Sequence, residues 1–113
     1  MFTRVSPTQL NEWLAQHQGE VQPLVLDVRE PWEFQTAQIT PDGFELRNLP
    51  MGNIPSELPQ LDPDRPVACL CHHGMRSMHV AMYLNQQGFE NVANIDGGID
   101  AWSLQRDPSV PRY

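Results

Sequence analysis

Two short apolar runs constrain the fold of this chain more than any other feature of its sequence. Residues 24–28 (Leu-Val-Leu-Asp-Val) lie between Pro23 and Pro31, and residues 67–71 (Val-Ala-Cys-Leu-Cys) end at a His-His-Gly turn. Apolar runs of this length, bounded by turn residues, predict strands that are buried on both faces.

Helical patterns separate and follow these runs. Ser6-Pro7 is typical of a helix start, and the spacing of the next apolar residues predicts a short helix over 7–17. A second short helix is predicted at 30–34. An amphipathic helix is predicted from about residue 76 to 87, ending at Gly88, and a last helix after the glycine pair 97–98.

Further short strands are predicted at 44–46 and 91–95, with a helical turn after Pro55. Strands that alternate with helices predict an α/β fold with a central parallel sheet and helices on both faces. The length of 113 residues is typical of one domain. We therefore predict a single domain over 1–113, in which residues 107–113 form an extended tail.

The charge of the chain restricts its partners. The net charge is −7, and all seven basic residues are arginines. Such a charge disfavours nucleic acid and anionic membranes as partners. Residues 1–7 lack the apolar core of a signal peptide, no apolar run approaches the ~20 residues that cross a bilayer, and two cysteines are too few for a disulfide framework. These features predict a cytoplasmic protein.

Cys71 is the strongest candidate for a reactive residue. It ends a predicted strand and precedes a glycine-containing turn and a helix start, the place where open α/β sheets bind ligands. Backbone N–H groups of residues 72–77 can converge there, and they would stabilise a Cys71 thiolate together with the helix dipole. Arg76 adds a fixed charge that can hold an anionic substrate.

The residues after Cys71 predict a locally positive site on an acidic protein. Residues 72–79 contain His72, His73, Arg76 and His79, and they contain no acid. Because histidine has an ordinary pKa near ~6.5, we expect His72 and His73 to add positive charge only as the pH falls from about 8 to 6. A small anionic substrate fits this composition.

Three segments resemble the signatures of the rhodanese family. Residues 71–77 (Cys-His-His-Gly-Met-Arg-Ser) resemble its active-site loop, in which four residues separate Cys from Arg. Residues 27–34 resemble its first signature, and residues 88–102 resemble its closing signature. The tail 107–113 is similar to the end of single-domain bacterial members and of rhodanese domains fused to sulfur-carrier-activating enzymes.

The chain departs from the family pattern in two places. Ala37-Gln38-Ile39 stands where the family usually has Gly-His-Ile, and four additional residues precede Asn48. The loop also carries two histidines and Met75, where members specialised for thiosulfate tend to carry additional Arg or Lys.

The resemblance implies a sulfurtransferase that works through a persulfide on Cys71. A small anionic donor such as thiosulfate would supply the sulfur, and cyanide, a thiol or a protein would accept it. No metal or organic cofactor is implied. The resemblance assigns binding of the donor to His72, His73, Gly74, Met75, Arg76 and Ser77. Asp27 and Arg29 are expected to form a buried ion pair that supports the loop.

Two alternatives remain open from the sequence. Cysteine phosphatases also hold an anion in a Cys-to-Arg loop, with one more residue between Cys and Arg. A non-catalytic module that binds a metal or a partner could use Cys69, Cys71, His72 and His73, although structural zinc sites prefer wider spacing between ligand pairs. Cys69 is expected to be a buried structural thiol rather than a resolving cysteine.

Overall fold

The structure, a computed structural model, describes residues 2–19 and 21–113, so that Met1 and Glu20 of the predicted domain lie outside it. Within these residues, five strands alternate with five helices. Their order is β1 (Thr3–Val5), α1 (Leu10–Gln16), β2 (Leu24–Asp27), α2 (Pro31–Thr36), β3 (Glu45–Asn48), α3 (Ile54–Glu57), β4 (Val67–Leu70), α4 (Met75–Gln86), β5 (Val92–Ile95) and α5 (Gly98–Gln105). Two single 3-10 turns, Met51–Asn53 and Leu58–Gln60, flank α3.

The strands form one parallel sheet in the order β1-β5-β4-β2-β3. β4 is the central strand, and its neighbour β2 is paired so that Asp27 lies opposite Leu70. All the carboxyl ends meet at one edge of the sheet, because every pairing is parallel. The residues that follow β2, β4 and β5 therefore come together there.

Alternate residues of the central strands face two separate cores. Val25, Ala68 and Leu70 pack on one face with residues of α1 and α5. Leu26, Cys69 and Cys71 face the opposite core, which α4 covers. The predicted fold class, a parallel sheet with helices on both faces, is confirmed.

Three elements differ from the sequence-based predictions. The helix predicted at 7–17 begins only at Leu10, because Ser6 opens a turn in which its carbonyl accepts a bond from the Gln9 N–H at 3.0 Å. β1 was not predicted, since a three-residue edge strand with a single buried residue has almost no sequence signal.

The tail also differs from the extended segment that was predicted. A turn closes between the Asp107 carbonyl and the Val110 N–H at 3.1 Å. Val110 is buried, and its carbonyl accepts a bond from the Ser103 hydroxyl at 2.7 Å. The chain is thereby directed back over the sheet edge that carries the loop after β4.

Within the described residues, none of the helices has both the length and the apolar character needed to span a bilayer.

Candidate active site

The loop formed by residues 71–77 lies at the carboxyl edge of the sheet, between β4 and α4. Cys71 directly follows β4, and its Sγ accepts a hydrogen bond from the Gly74 N–H at 3.0 Å. Gly74 has φ +103° and precedes the first residue of α4, so a residue without a side chain is favoured there. The sulfur thus meets a backbone donor beside the positive end of a helix, which favours negative charge on sulfur.

The start of α5 fixes the other side of the loop. The Ile99 N–H donates to the Cys71 carbonyl at 2.8 Å, and the Asp100 N–H donates to the His72 carbonyl at 3.1 Å. A Cβ on Gly98 would lie 2.4 Å from the Cys71 carbonyl oxygen, so the close approach requires glycine. The glycine pair is therefore more than a turn, because it lets the N–H groups of α5 bind the carbonyls of Cys71 and His72.

Arg76 is placed differently from its predicted role. Its guanidinium forms a two-pronged ion pair with Glu33 of α2, with Nη1–Oε1 at 2.6 Å and Nη2–Oε2 at 2.9 Å. The Glu33 side chain is only 5 % exposed. The expectation of a locally positive site is therefore wrong, because it counted only residues 72–79 and an acid enters from another helix.

The ionisation of Glu33 follows from its partners. The Arg76 guanidinium lowers the pKa of Glu33 to about 2, and the Tyr113 hydroxyl and the Glu30 N–H also donate to this carboxylate. Arg76 in turn has a raised pKa because of the same ion pair. Both charges persist throughout the physiological pH range.

Asp27 and Arg29 form the expected buried ion pair, and both side chains are fully buried. The Arg29 guanidinium also donates to the carbonyls of Ala37 and Glu33, at 2.7 and 3.1 Å, and to the Tyr113 hydroxyl at 2.9 Å. The pair therefore connects β2 to α2, to Tyr113 and to the Ala37 position, where the chain departs from the family pattern. It supports the loop indirectly, through Glu33.

The two loop histidines lie in a stack of three rings. His72 lies between Tyr113 and His73, with ring centroids 4.0 Å apart on each side. Burial, and then the neighbouring His73, lower the pKa of His72. His72 therefore gains positive charge less readily than an ordinary histidine, which runs against the expectation from the sequence.

The alternative metal set predicted from the sequence was Cys69, Cys71, His72 and His73. Among the described residues, the two histidines instead lie near Asp100, with one ligand atom of each of these three side chains within 4.8 Å of the others. The rings of His72 and His73 are stacked and nearly parallel, with 23° between their planes. Their in-plane lone pairs therefore do not point at a common position. Asp100 is also bound by Arg112 at 2.8 Å.

Cys69 lies one layer below Cys71, on the same face of β4. It is fully buried, and this burial raises the pKa of Cys69 to about 12. A thiol held protonated in this way is a poor nucleophile, which supports the structural interpretation. Of the remaining loop residues, Met75 is largely exposed, whereas Ser77 is fully buried in the first turn of α4.

Sequence reasoning missed three residues that hold the loop. In the sequence, Glu33 stands out only as part of the first signature. Glu33 lies three residues after Glu30, and the two residues form a capping box that directs the Glu33 side chain inward. Asn94 on β5 is fully buried, and its amide donates to the Gly74 carbonyl at 3.4 Å. Tyr113 carries no local signal, because its partners lie more than 40 residues away.

Comparisons with known proteins agree with this architecture. The profile of the Rhodanese-like domain family matches residues 10–105. A rhodanese-related protein from Thermoplasma volcanium, 28 % identical, superposes with a TM-score of 0.76 over 99 % of this chain and 100 % of that one.

Two curated relatives illustrate the range of the family. "Rhodanese-like/PpiC domain-containing protein 12, chloroplastic" of Arabidopsis thaliana is 43 % identical over 79 % of this chain, which spans only 30 % of that longer protein. "Thiosulfate sulfurtransferase GlpE" of Pseudoalteromonas translucida is 36 % identical over 79 % of this chain and 81 % of its own length. By profile, sequence and structure, the chain belongs to the rhodanese-like domain family, a family that includes sulfurtransferases.

Proposed function

We propose that this protein is a sulfurtransferase in which Cys71 accepts a sulfane sulfur, holds it as a persulfide and passes it to an acceptor. One observation carries this proposal: the Gly74 N–H donates to the Cys71 sulfur at 3.0 Å, in a loop whose carbonyls are bound by α5. Backbone donors fixed in this way stabilise a thiolate before reaction and a persulfide after it.

The first step is attack of the Cys71 thiolate on the outer sulfur of the donor. A bond forms between Sγ and that sulfur, and the S–S bond of the donor breaks. The remainder of the donor leaves with the electron pair, as sulfite from thiosulfate or as a thiolate from a hydropersulfide. The protein needs no oxidant, because the sulfur arrives already in the sulfane state.

The second step regenerates the thiolate. Cyanide, a small thiol or the thiol of an acceptor protein attacks the terminal sulfur, and Cys71 leaves with the electron pair. Division of the transfer into two displacements on one nucleophile is the usual advantage of covalent catalysis. These steps require no metal or organic cofactor.

The burial of Cys71 favours transfer of a single atom. The residue is 1 % exposed, so only a narrow group can reach its sulfur. A terminal sulfane sulfur is such a group, whereas a tetrahedral phosphoryl group is wider. Cys71 and Cys69 are both free thiols, and we propose that the protein acts in a reducing compartment such as the cytoplasm.

Intact mass spectrometry tests the proposal. Purified protein is incubated with thiosulfate or with a hydropersulfide, desalted and weighed before and after addition of cyanide. We expect a gain of one sulfur atom from a donor and its loss, as thiocyanate, after cyanide. Absence of any cyanide-labile sulfur with both donors would contradict the proposed function.

A further inference from the structure

The loop 71–77 meets a carboxylate that the mechanism does not use. Glu33 binds both terminal nitrogens of Arg76, at 2.6 and 2.9 Å, and its side chain is 5 % exposed. Arg76 is the cation that the loop itself provides for an anionic donor. In this arrangement its charge is already compensated by a buried neighbour.

We infer that Glu33 is a specificity-determining residue, which neutralises Arg76 and thereby makes Cys71 select hydropersulfide donors over dianionic donors such as thiosulfate. The inference rests on the proposed function, and it concerns the class of donor. Glu33 acts through Arg76, without contact to the reacting sulfur.

Contacts on every side fix the carboxylate in this role. Oε1 accepts a bond from the Glu30 N–H at 3.1 Å, and Oε2 accepts one from the Tyr113 hydroxyl at 2.8 Å. Tyr113 is held in turn by the Arg29 guanidinium. Rotation of Glu33 away from Arg76 would break all of these bonds, so a donor cannot easily take its place.

The surrounding arginines supply no compensation for a second negative charge. Each arginine of the hydrogen-bonded network around the loop is matched by a carboxylate: Arg29 by Asp27, Arg76 by Glu33 and Arg112 by Asp100. Burial lowers the pKa of His72, and His73 is exposed to solvent. The net charge of −7 adds a repulsion that acts at longer range.

The two donor classes differ in the charge that must approach the thiolate. Thiosulfate enters as a dianion, and its remainder leaves as sulfite. A hydropersulfide, R–S–SH, carries at most one negative charge on its sulfurs. Attack of the Cys71 thiolate on the outer sulfur gives Cys71–S–SH and a thiolate R–S⁻, so no dianion is desolvated at any stage. Because the Arg76 charge is already paired with Glu33, the loop favours the hydropersulfide.

Donor competition in charge variants tests the inference. The donors are thiosulfate and the hydropersulfide of 2-mercaptoethanol, which has no charge apart from its persulfide group. Rates of Cys71 persulfidation are measured by intact mass, with Cys71→Ser as the blank. Glu33→Gln releases the Arg76 charge and keeps the side-chain shape. Glu90→Gln, an exposed acid before β5, changes the net charge equally and is the matched control.

We expect wild-type protein to have a higher kcat/KM with the hydropersulfide than with thiosulfate. Glu33→Gln should raise the thiosulfate value about tenfold, the effect of a modest change in charge pairing, and change the hydropersulfide value by less than about threefold. Glu90→Gln should match wild type. His73→Lys adds a cation at an exposed position and should also raise the thiosulfate value, which gives a second test if Glu33→Gln does not fold.

Two results would overturn the inference. Equal kcat/KM for the two donors in wild type would show that the site does not discriminate, while the proposed function would stand. The inference would also fail if folded Glu33→Gln kept the wild-type ratio of kcat/KM for the two donors. If only His73→Lys folds, an unchanged ratio in that variant would overturn the inference. Failure of wild type to load sulfur from either donor would instead contradict the proposed function itself.

Discussion

The ring of Tyr113 lies flat on the ring of His72, with 4.0 Å between the centroids and 8° between the planes. The Tyr113 hydroxyl donates to Glu33 and accepts from Arg29. One side chain of the tail thus contacts both the loop 71–77 and the ion pairs behind it. The tail after α5 is therefore part of the structure that positions Cys71.

Removal of the Tyr113 hydroxyl should weaken this connection. Tyr113→Phe keeps the stack on His72 and leaves Glu33 and Arg29 each without one partner. We expect a loss of about 1 to 2 kcal/mol of unfolding free energy, the usual cost of an unsatisfied buried polar group. Urea denaturation measures it. Tyr83→Phe on α4 removes a hydroxyl elsewhere, and an equal loss in that variant would contradict the assigned role.

Gly98 should tolerate no side chain, because of its close approach to the loop. The Cβ of Gly98→Ala would lie 2.4 Å from the Cys71 carbonyl oxygen and 2.5 Å from that of His72. Gly43 also has a positive φ, but a Cβ there meets nothing within 4 Å. Gly43→Ala therefore controls for backbone strain alone.

We expect Gly98→Ala to cost at least about 2 kcal/mol more unfolding free energy than Gly43→Ala, because the loop must shift to avoid the overlap. Its rate of Cys71 persulfidation should fall in parallel, as the backbone donors move. Similar stability and activity of the two variants would show that the loop can accommodate a Cβ on Gly98 without cost.

The sequence predicted the sheet more completely than the site. The runs 24–28 and 67–71 indicate their strands through local composition, and Cys71 is placed by the strand that precedes it. The Arg76–Glu33 and Tyr113–Glu33 pairs join residues 43 and 80 positions apart. No local pattern reports such pairs, since they depend on which elements meet at the sheet edge. For the same reason residues 72–79 do not predict the charge of the site, because Glu33 lies outside that segment.

Acid should destabilise the protein through Glu33. The pKa of this carboxyl is about 2 in the folded protein, against 4.5 for an ordinary glutamate, chiefly because of the Arg76 guanidinium. Because the pKa of Glu33 is lower in the folded than in the unfolded protein, its ionised form stabilises the fold above pH 4.5. This contribution is lost as the pH falls toward 2. It amounts to about 3 kcal/mol at most.

Urea denaturation over this pH range, in wild type and Glu33→Gln, measures the contribution. The difference in unfolding free energy between the two proteins should shrink as the pH falls from 4.5 toward 2. The same measurement on Glu90→Gln is the control for a change of net charge. A constant difference between wild type and Glu33→Gln would indicate that the ion pair does not form in solution.

Phosphatase activity should be negligible. Only four residues separate Cys71 from Arg76, the cysteine is nearly buried, and the Arg76 guanidinium is occupied by Glu33. The Arg76 guanidinium is then not free to bind phosphoryl oxygens. Wild type should hydrolyse p-nitrophenyl phosphate no faster than Cys71→Ser. Turnover that requires Cys71 would favour the phosphatase alternative.

Cys71, and not Cys69, should carry the transferred sulfur. Intact mass and peptide mapping after exposure to a hydropersulfide test it in wild type, Cys69→Ser and Cys71→Ser, with unfolding curves to verify each fold. Wild type and Cys69→Ser should each gain one sulfur atom at Cys71, which cyanide removes, and folded Cys71→Ser should gain none. A cyanide-labile sulfur on folded Cys71→Ser, or one mapped to Cys69 in wild type, would contradict the assignment of the persulfide to Cys71.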